Sequence, residues 1–390
     1  MSSYFRLTAI LIFAVAVFEA STNIFLPSLC IIQDFHHTTP AHTQFTVSAY
    51  LLGFGILGLL GGPLSDSIGR RPVMLLGLSL FWIGSLFSMV YAKESLDILI
   101  IARFIQGLGA GTATILIMVI IKDFFDEMTC ARILSLMGMV IAVAPMIAPM
   151  LGGAIADYYA WESNFVIMFI AATITLLFYI KEGQESHFKR KPFHLNKVKG
   201  IYLRLLGHKK CLFYSLISML LYGSLFAWII HAPFYFQENF NLTNFSYAIL
   251  TALGPVMYIL GSFVNFILLP RFGITVLTRY GLYTVIAATL FLLTTSLFTT
   301  QSFWLYIIGF LIFSTGMAPI FANAATKALE GENKGAASAM LACLEQSFAA
   351  FSVFFVSYSK GSSMLMSISF MTCASLIAYA LFRNVSKIDA

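Results

Sequence analysis

Two glutamates and one arginine stand where ionised side chains are rare. Of the 17 acidic residues, only Glu19 and Glu345 lie deep within long apolar runs. Glu19 is about 13 residues into the first run, roughly 20 Å along a helix rising 1.5 Å per residue. Glu345 is about 10 residues into the eleventh, again some 15 Å from the end of a helix. Removal from water disfavours an ionised carboxylate, so a group placed this way is suited to loading and releasing protons near neutral pH, and a bound cation can displace the proton. The plainer reading of either glutamate is a satisfied structural carboxylate. Arg103 is the basic counterpart. A guanidinium inside an apolar helix costs at least ~2.5–3.5 kcal/mol, so it must find partners. Gln106, three residues on, shares its helical face; the bland alternative is that Arg103 only braces its surroundings. His231 is able to join a proton relay, although a lone histidine near a helix end is more often a hydrogen-bonded structural residue.

The elements that must position these groups are membrane helices. Hydrophobic residues make up 59% of the 390, charged residues 10%, and mean hydropathy is +0.88. A soluble domain carries about a quarter charged residues, and a spanning helix needs about 20 apolar ones. Twelve segments qualify, near 5–29, 42–64, 73–92, 95–121, 132–156, 163–181, 211–235, 244–269, 274–298, 301–326, 334–358 and 363–383. The first contains Glu19 and runs past any small-residue cleavage site, so it is expected to be a retained helix and not a signal peptide. Threading twelve spans places 20 of the 23 basic residues on one side, including Lys181, Lys189, Arg190, Lys191, Lys197, Lys199, Arg204, Lys209 and Lys210 of a polar linker. Lys93 and Lys360 fall outside and Arg103 within a span. That asymmetry is the positive-inside rule and predicts that both termini are cytoplasmic. The net charge of +6 therefore speaks of membrane orientation, not of nucleic acid. The basic linker is able to touch anionic lipid. Five cysteines without metal-ligand spacing indicate neither a disulfide framework nor a metal site.

Residues 1–181 and 211–390 form two sets of six spans around a linker at 182–210. Four motifs then carry a family resemblance. Gly62-Pro63-Leu64-Ser65-Asp66-Ser67-Ile68-Gly69-Arg70-Arg71-Pro72 resembles the loop between helices 2 and 3 of major facilitator superfamily transporters. There Gly62, Asp66, Gly69, Arg70 and Arg71 would form a conformational latch, although the arginines are also ordinary positive-inside anchors. A fainter repeat, Gly261-Ser262-Phe263-Val264-Asn265 followed by Leu269-Pro270-Arg271-Phe272-Gly273, stands at the same place in the second half. Ala102 to Gly111, with Arg103 and glycines at 107, 109 and 111, resembles the second motif of the superfamily. Ala144-Pro145-Met146-Ile147-Ala148-Pro149-Met150-Leu151-Gly152-Gly153 is similar to the helix-5 antiporter motif, most like the Bcr/CflA branch of drug:proton antiporters. Its prolines remove backbone donors and its small residues permit close packing. His231-Ala232-Pro233-Phe234 and Gly335-Ala336-Ala337-Ser338-Ala339 resemble the same branch.

The resemblance implies an all-α membrane protein with twelve transmembrane helices in two six-helix bundles, a substrate path between them, no bound cofactor and a functional monomer. It implies an inner-membrane antiporter that exchanges protons for small hydrophobic compounds, cationic ones among them. Ser67, Ala232 and Gln346's neighbour Glu345 depart from the branch pattern, as does Asn23, where relatives carry an aspartate four residues before the helix-1 proline (here Pro27). Glu19, one turn earlier on the same face as Asn23, is expected to take over proton binding, with Arg103 modulating it. Glu345 is expected either to bind a substrate cation or to pair with His231 or Lys327. Glu19, Asn23, Gln106, Tyr222, Phe226, His231, Tyr258 and Glu345 are the candidate cavity residues, with Phe18, Trp228, Met139 and Met146 as further wall positions. Two other readings stay open: a transporter dedicated to one metabolite such as a siderophore or sugar, and a non-transporting receptor or scaffold. No nucleophile–base pair or metal cluster suggests an enzyme, and no Walker-type loop suggests ATP as the energy source.

Overall fold

The computed structural model describes residues 2–188, 190, 192–298, 302–330, 333–357 and 364–389. Lys189, Lys191 and Lys360 lie outside them. The described residues are helical almost throughout and contain no strand. Apolar chain in lipid must satisfy its backbone internally, and helices do so within one segment.

The chain divides into two compact units, Met1–Gly200 and Ile201–Ala390. The first contains α1 (Ser2–Asn23), a short 3₁₀ turn (Leu26–Ser28), α2 (Leu29–Phe35), α3 (Pro40–Ile68), α4 (Arg70–Tyr91), α5 (Leu96–Phe124), α6 (Glu127–Tyr158) and α7 (Ser163–Glu182). Starts are set by capping side chains. Thr39 accepts from the His42 N–H ahead of α3, Ser95 from Ile98 ahead of α5, and Asp126 from Met128 and Thr129 ahead of α6. These bonds satisfy donors that a helix N-terminus leaves open. Within this unit α5 packs against α3 and α4, α4 against α7, and α1 against α6 and α7.

The α3–α5 contact explains the glycines of the second motif. A methyl added at Gly107 would strike the backbone carbonyl of Tyr50, and one at Gly111 that of Phe54. Such close backbone approach favours small residues in membrane helix pairs. The antiporter-type segment follows the same logic: α6 runs unbroken through Pro145 and Pro149, and Gly152 lies against the carbonyl of Ile24.

The second unit holds α9 (Lys209–Phe240), α10 (Asn244–Phe298), α11 (Phe303–Ala328), α12 (Lys334–Ser357) and α13 (Leu365–Asp389). Here α9 packs on α12, α13 and α11, and α10 on α11 and α13. Between α7 and α9 in sequence lies α8 (Leu195–Gly207), an amphipathic helix with no buried residue, within the stretch read from sequence as a polar linker. Among the described residues, eleven helical stretches are long and apolar enough to span a membrane. The 55-residue α10 contains two spans, since Gly273 breaks it with a non-helical φ of 76° and ψ of 166°. The first span also continues past Pro27 through the 3₁₀ turn to Phe35, further than the expected end near residue 29.

Candidate functional site

The site in the first unit is built around Arg103, which is fully buried. Its guanidinium lies 4.4 Å from the Tyr50 ring centroid and 4.6 Å from that of Phe25. It donates to the Gln106 side-chain oxygen and, at 3.0 Å, to the backbone carbonyl of Ser21. Gln106 donates in turn to Ser85 Oγ at 2.7 Å, and Ser85 to the Phe81 carbonyl. A planar cation stacked between rings while its edges donate suits arginine and not lysine. Arg103 thus places both terminal nitrogens without a carboxylate, while its Nε is buried without a bond.

Glu19 is half-buried in the middle of α1, and no described side chain bonds or pairs with its carboxyl. Arg103, expected to modulate Glu19, makes no direct bond with its carboxyl. Tyr50 is the group in common: it lies within electrostatic reach of both charges. Its hydroxyl donates to the Phe18 carbonyl at 3.2 Å and accepts from Ser21 Oγ at 3.1 Å. Asn23 is turned back on its own helix, donating to the Glu19 carbonyl at 2.8 Å.

Other candidate cavity residues separate into two sets. Gln106, Asn23, Phe226 and His231 are buried, and Gln106 serves Arg103 and Ser85 instead of facing an opening. His231 has no hydrogen-bond partner on either ring nitrogen among the described residues, so neither a relay nor a structural bond is formed. Phe18 and Trp228 are core: Phe18 packs edge-on against Phe81, and Trp228 stacks on Phe310 at 4.9 Å. Tyr222, Tyr258 and Glu345 are half-buried, Met146 is half-buried and Met139 exposed. An apolar groove of about 200 Å³ between α1 and α7, lined by Phe13, Ala16, Val17, Ala20, Ile24, Ile167, Met168 and Ala171, does not include Glu19.

Glu345 pairs with neither His231 nor Lys327. It accepts a bond from Ser218 of α9, while Lys327 pairs with Glu330 at 2.9 Å. Beside it Gln346 donates to the Tyr222 hydroxyl at 3.1 Å.

The loop motif forms a charged knot at the basic end of the first unit. Gly69 takes φ 116°, open to glycine and strained for other residues, and turns the chain from α3 into α4. Arg70 pairs with Asp66 at 2.6 Å and Asp123 at 3.2 Å, and donates to Ser65, whose hydroxyl bonds the Gly62 carbonyl at 2.7 Å. Arg71 does not join Asp66; it donates to the Ile180 carbonyl at 3.1 Å. A residue that sequence reasoning missed closes the knot. Glu185, just beyond α7, accepts the backbone N–H of Arg70 at 2.8 Å and of Arg71 at 3.3 Å. Ser186 beside it donates to Asp123 at 2.7 Å. The second unit repeats the backbone break at Gly273 without these charges; nearby, Asn265 and Asn323 exchange side-chain bonds at 3.3 and 3.5 Å.

Two units of long apolar helices, each with an ionisable side chain midway along a span, define a polytopic membrane transporter. The sequence pattern of the Major Facilitator Superfamily matches residues 8–353, and the chain belongs to that family. It is an integral protein of the inner membrane. The chain is 30% identical over 332 residues to YdgK of Bacillus subtilis (strain 168), described as an MFS-type transporter, with 83% of this chain and 81% of that one covered. It is 25% identical over 311 residues to the bicyclomycin resistance protein homolog of Haemophilus influenzae, covering 79% and 77%. In fold it is similar to the partially occluded inward-open xylose transporter XylE from E. coli, with a TM-score of 0.74, 98% of each chain covered and 18% identity.

Proposed function

We propose that this protein is a secondary antiporter that exports small hydrophobic compounds in exchange for protons, with Glu19 as the coupling group. The observation that carries the reading is the state of Glu19: a carboxyl midway along α1, half-buried, with no described cation or donor satisfying it. A buried structural carboxylate is hydrogen-bonded or paired. A carboxyl left without partners in a membrane span is instead suited to exchanging a proton. Arg103, held by Gln106, Ser21, Tyr50 and Phe25, biases Glu19 through Tyr50 and does not neutralise it. Resemblance to a bicyclomycin resistance protein homolog supports a drug-sized cargo. Alternation between inward- and outward-open states, with the Arg70 knot opening and reforming, supplies the transport cycle. The ion gradient provides the energy, and the protein acts as a monomer without catalytic chemistry.

The test is reconstitution into sealed vesicles containing a pH-sensitive dye, challenged with lipophilic cations and neutral drugs. Substrate-driven proton movement that disappears in Glu19→Gln is the expected result. Full coupling in that variant would sink Glu19 as the carrier, and absence of any proton movement with a bound ligand would remove antiport altogether.

A further inference from the structure

The second unit contains a carboxylate that proton coupling through Glu19 does not use. Glu345 sits midway along α12, whose ends are Lys334 and Ser357, and is only half-buried there. Its partner is neutral, the Ser218 hydroxyl, and no lysine, arginine or histidine of the described residues pairs with it. The two partners expected from sequence are engaged or sealed away: Lys327 holds Glu330, and His231 is buried without a bond. A negative group without a counter-charge is costly inside a bundle.

What surrounds it is aromatic. Tyr222 of α9 lies 5.1 Å from Phe226 and 6.1 Å from Phe321 of α11 between ring centroids. Phe321 lies 6.5 Å from Tyr258 of α10, and Tyr258 is within electrostatic reach of Glu345. Gln346, next to Glu345, fixes the Tyr222 hydroxyl through its amide nitrogen and leaves its oxygen buried and unbonded. Four helices therefore each contribute a polar or aromatic group to one cluster. Tyr222, Phe321, Tyr258, Glu345 and Gln346 all remain half-buried, whereas Trp228 and Phe310 on the same helices are closed into the core. Rings at these separations, with a carboxylate among them and a spare amide acceptor, match the chemistry of an organic ammonium or phosphonium: the ring faces attract the cation, and the carboxylate supplies the counter-charge.

We infer that Glu345, with Tyr222, Tyr258 and Phe321, forms an organic-cation site in the second unit, distinct from the proton-carrying Glu19. The inference rests on the export reading in naming the class of its cargo. Ser218 and Gln346 position the carboxylate and the Tyr222 ring. Uncharged compounds of the same size lack the charge this cluster recognises and gain nothing from Glu345.

The experiment is equilibrium binding to the full chain in lipid nanodiscs at pH 8, with radiolabelled tetraphenylphosphonium as the cationic probe and chloramphenicol as the uncharged one. Glu345→Gln is expected to weaken tetraphenylphosphonium by at least about tenfold, with chloramphenicol within about twofold. Glu345→Asp should recover part of the loss, and Tyr222→Leu should weaken the cation selectively while Tyr222→Phe keeps most of the affinity. Unchanged tetraphenylphosphonium affinity in Glu345→Gln overturns the site, as does an equal loss of both probes, or wild-type protein that binds chloramphenicol and not the cation. That last result leaves export itself standing. Conversely, cation binding through Glu345 without proton exchange in vesicles keeps the site and removes antiport.

Discussion

At the scale of single residues, the protein separates a satisfied charge from an unsatisfied one. Arg103 has two aromatic faces and two acceptors, so its substitution is costly in a way that depends on shape. Arg103→Lys keeps the charge but loses planar stacking and the forked donors. We expect it to lower thermal stability in detergent and to abolish transport, both read from one purified sample by melting and vesicle assays. Tyr50→Phe is the subtler probe. It preserves the ring beneath the guanidinium and removes the hydroxyl bonded to Ser21 and Phe18, a loss of about 1–3 kcal/mol for buried groups left unpaired. If Tyr50 links Arg103 to Glu19, the pH profile of transport moves in this variant while the cation affinity at Glu345 does not. Sequence exposed Arg103, Gln106, Glu19 and Glu345, because ionisable or amide side chains in apolar runs are conspicuous. It did not expose Tyr50, Phe25 or Ser218. Tyrosine, phenylalanine and serine are ordinary in membrane helices, and their roles arise from contacts across tens of residues that no local spacing encodes. That Arg103 needs partners is visible in a sequence, because a buried charge is costly, whereas the aromatic pair that receives it is not.

At the scale of helices, close packing and backbone geometry make different demands on glycines of similar appearance. A methyl at Gly62 meets nothing within 4 Å, whereas Gly69 holds φ 116° and Gly107 abuts the Tyr50 backbone. Gly62→Ala should therefore lie within about 0.5 kcal/mol of wild type. Gly107→Ala should cost about 1–3 kcal/mol through overpacking of α3 on α5, seen as a lower melting temperature. A ranking in which Gly62→Ala is the worst of the three would refute this account. Helix positions themselves were largely readable, since twelve apolar runs of spanning length leave little freedom. The departures have local causes. The first span runs on to Phe35 because Pro27 sits in the first turn of a 3₁₀ segment, where its missing N–H is tolerated, and the chain continues into α2. Helix α8 arose in a stretch read as polar linker because most of its apolar residues are spaced for one face while Lys197 and Arg204 occupy the other.

At the scale of the whole molecule, the start of the connecting segment is part of the first unit's ionic architecture. Partial burial works to raise the Glu185 carboxyl, but backbone N–H groups of His187, Arg70, Arg71 and Ser186 outweigh it and hold the group below the usual carboxylate range. A carboxylate with a lowered folded value stabilises the native state above its unfolded value of about 4.3, and that contribution is lost as pH falls through the lower folded one. Hydrogen-exchange protection at the start of α4 should thus persist between pH 8 and about 5 and fail only in stronger acid. Glu185→Ala should reduce that protection between pH 8 and about 5, with a cost of about 1 kcal/mol as for a lost helix cap, and should match wild type in stronger acid. Equal protection in variant and wild type would show that Glu185 merely rests against the turn.

The two halves bend at matching places, Gly69 and Gly273, yet among the described residues only the first bend is fastened by side chains from two other stretches of the chain, at Asp123 and Glu185. A methyl on Gly273 would meet no described neighbour within 4 Å, so only its φ of 76° resists a side chain there. The second joint is therefore a matter of backbone alone, whereas a change at the first has to be answered by several partners together.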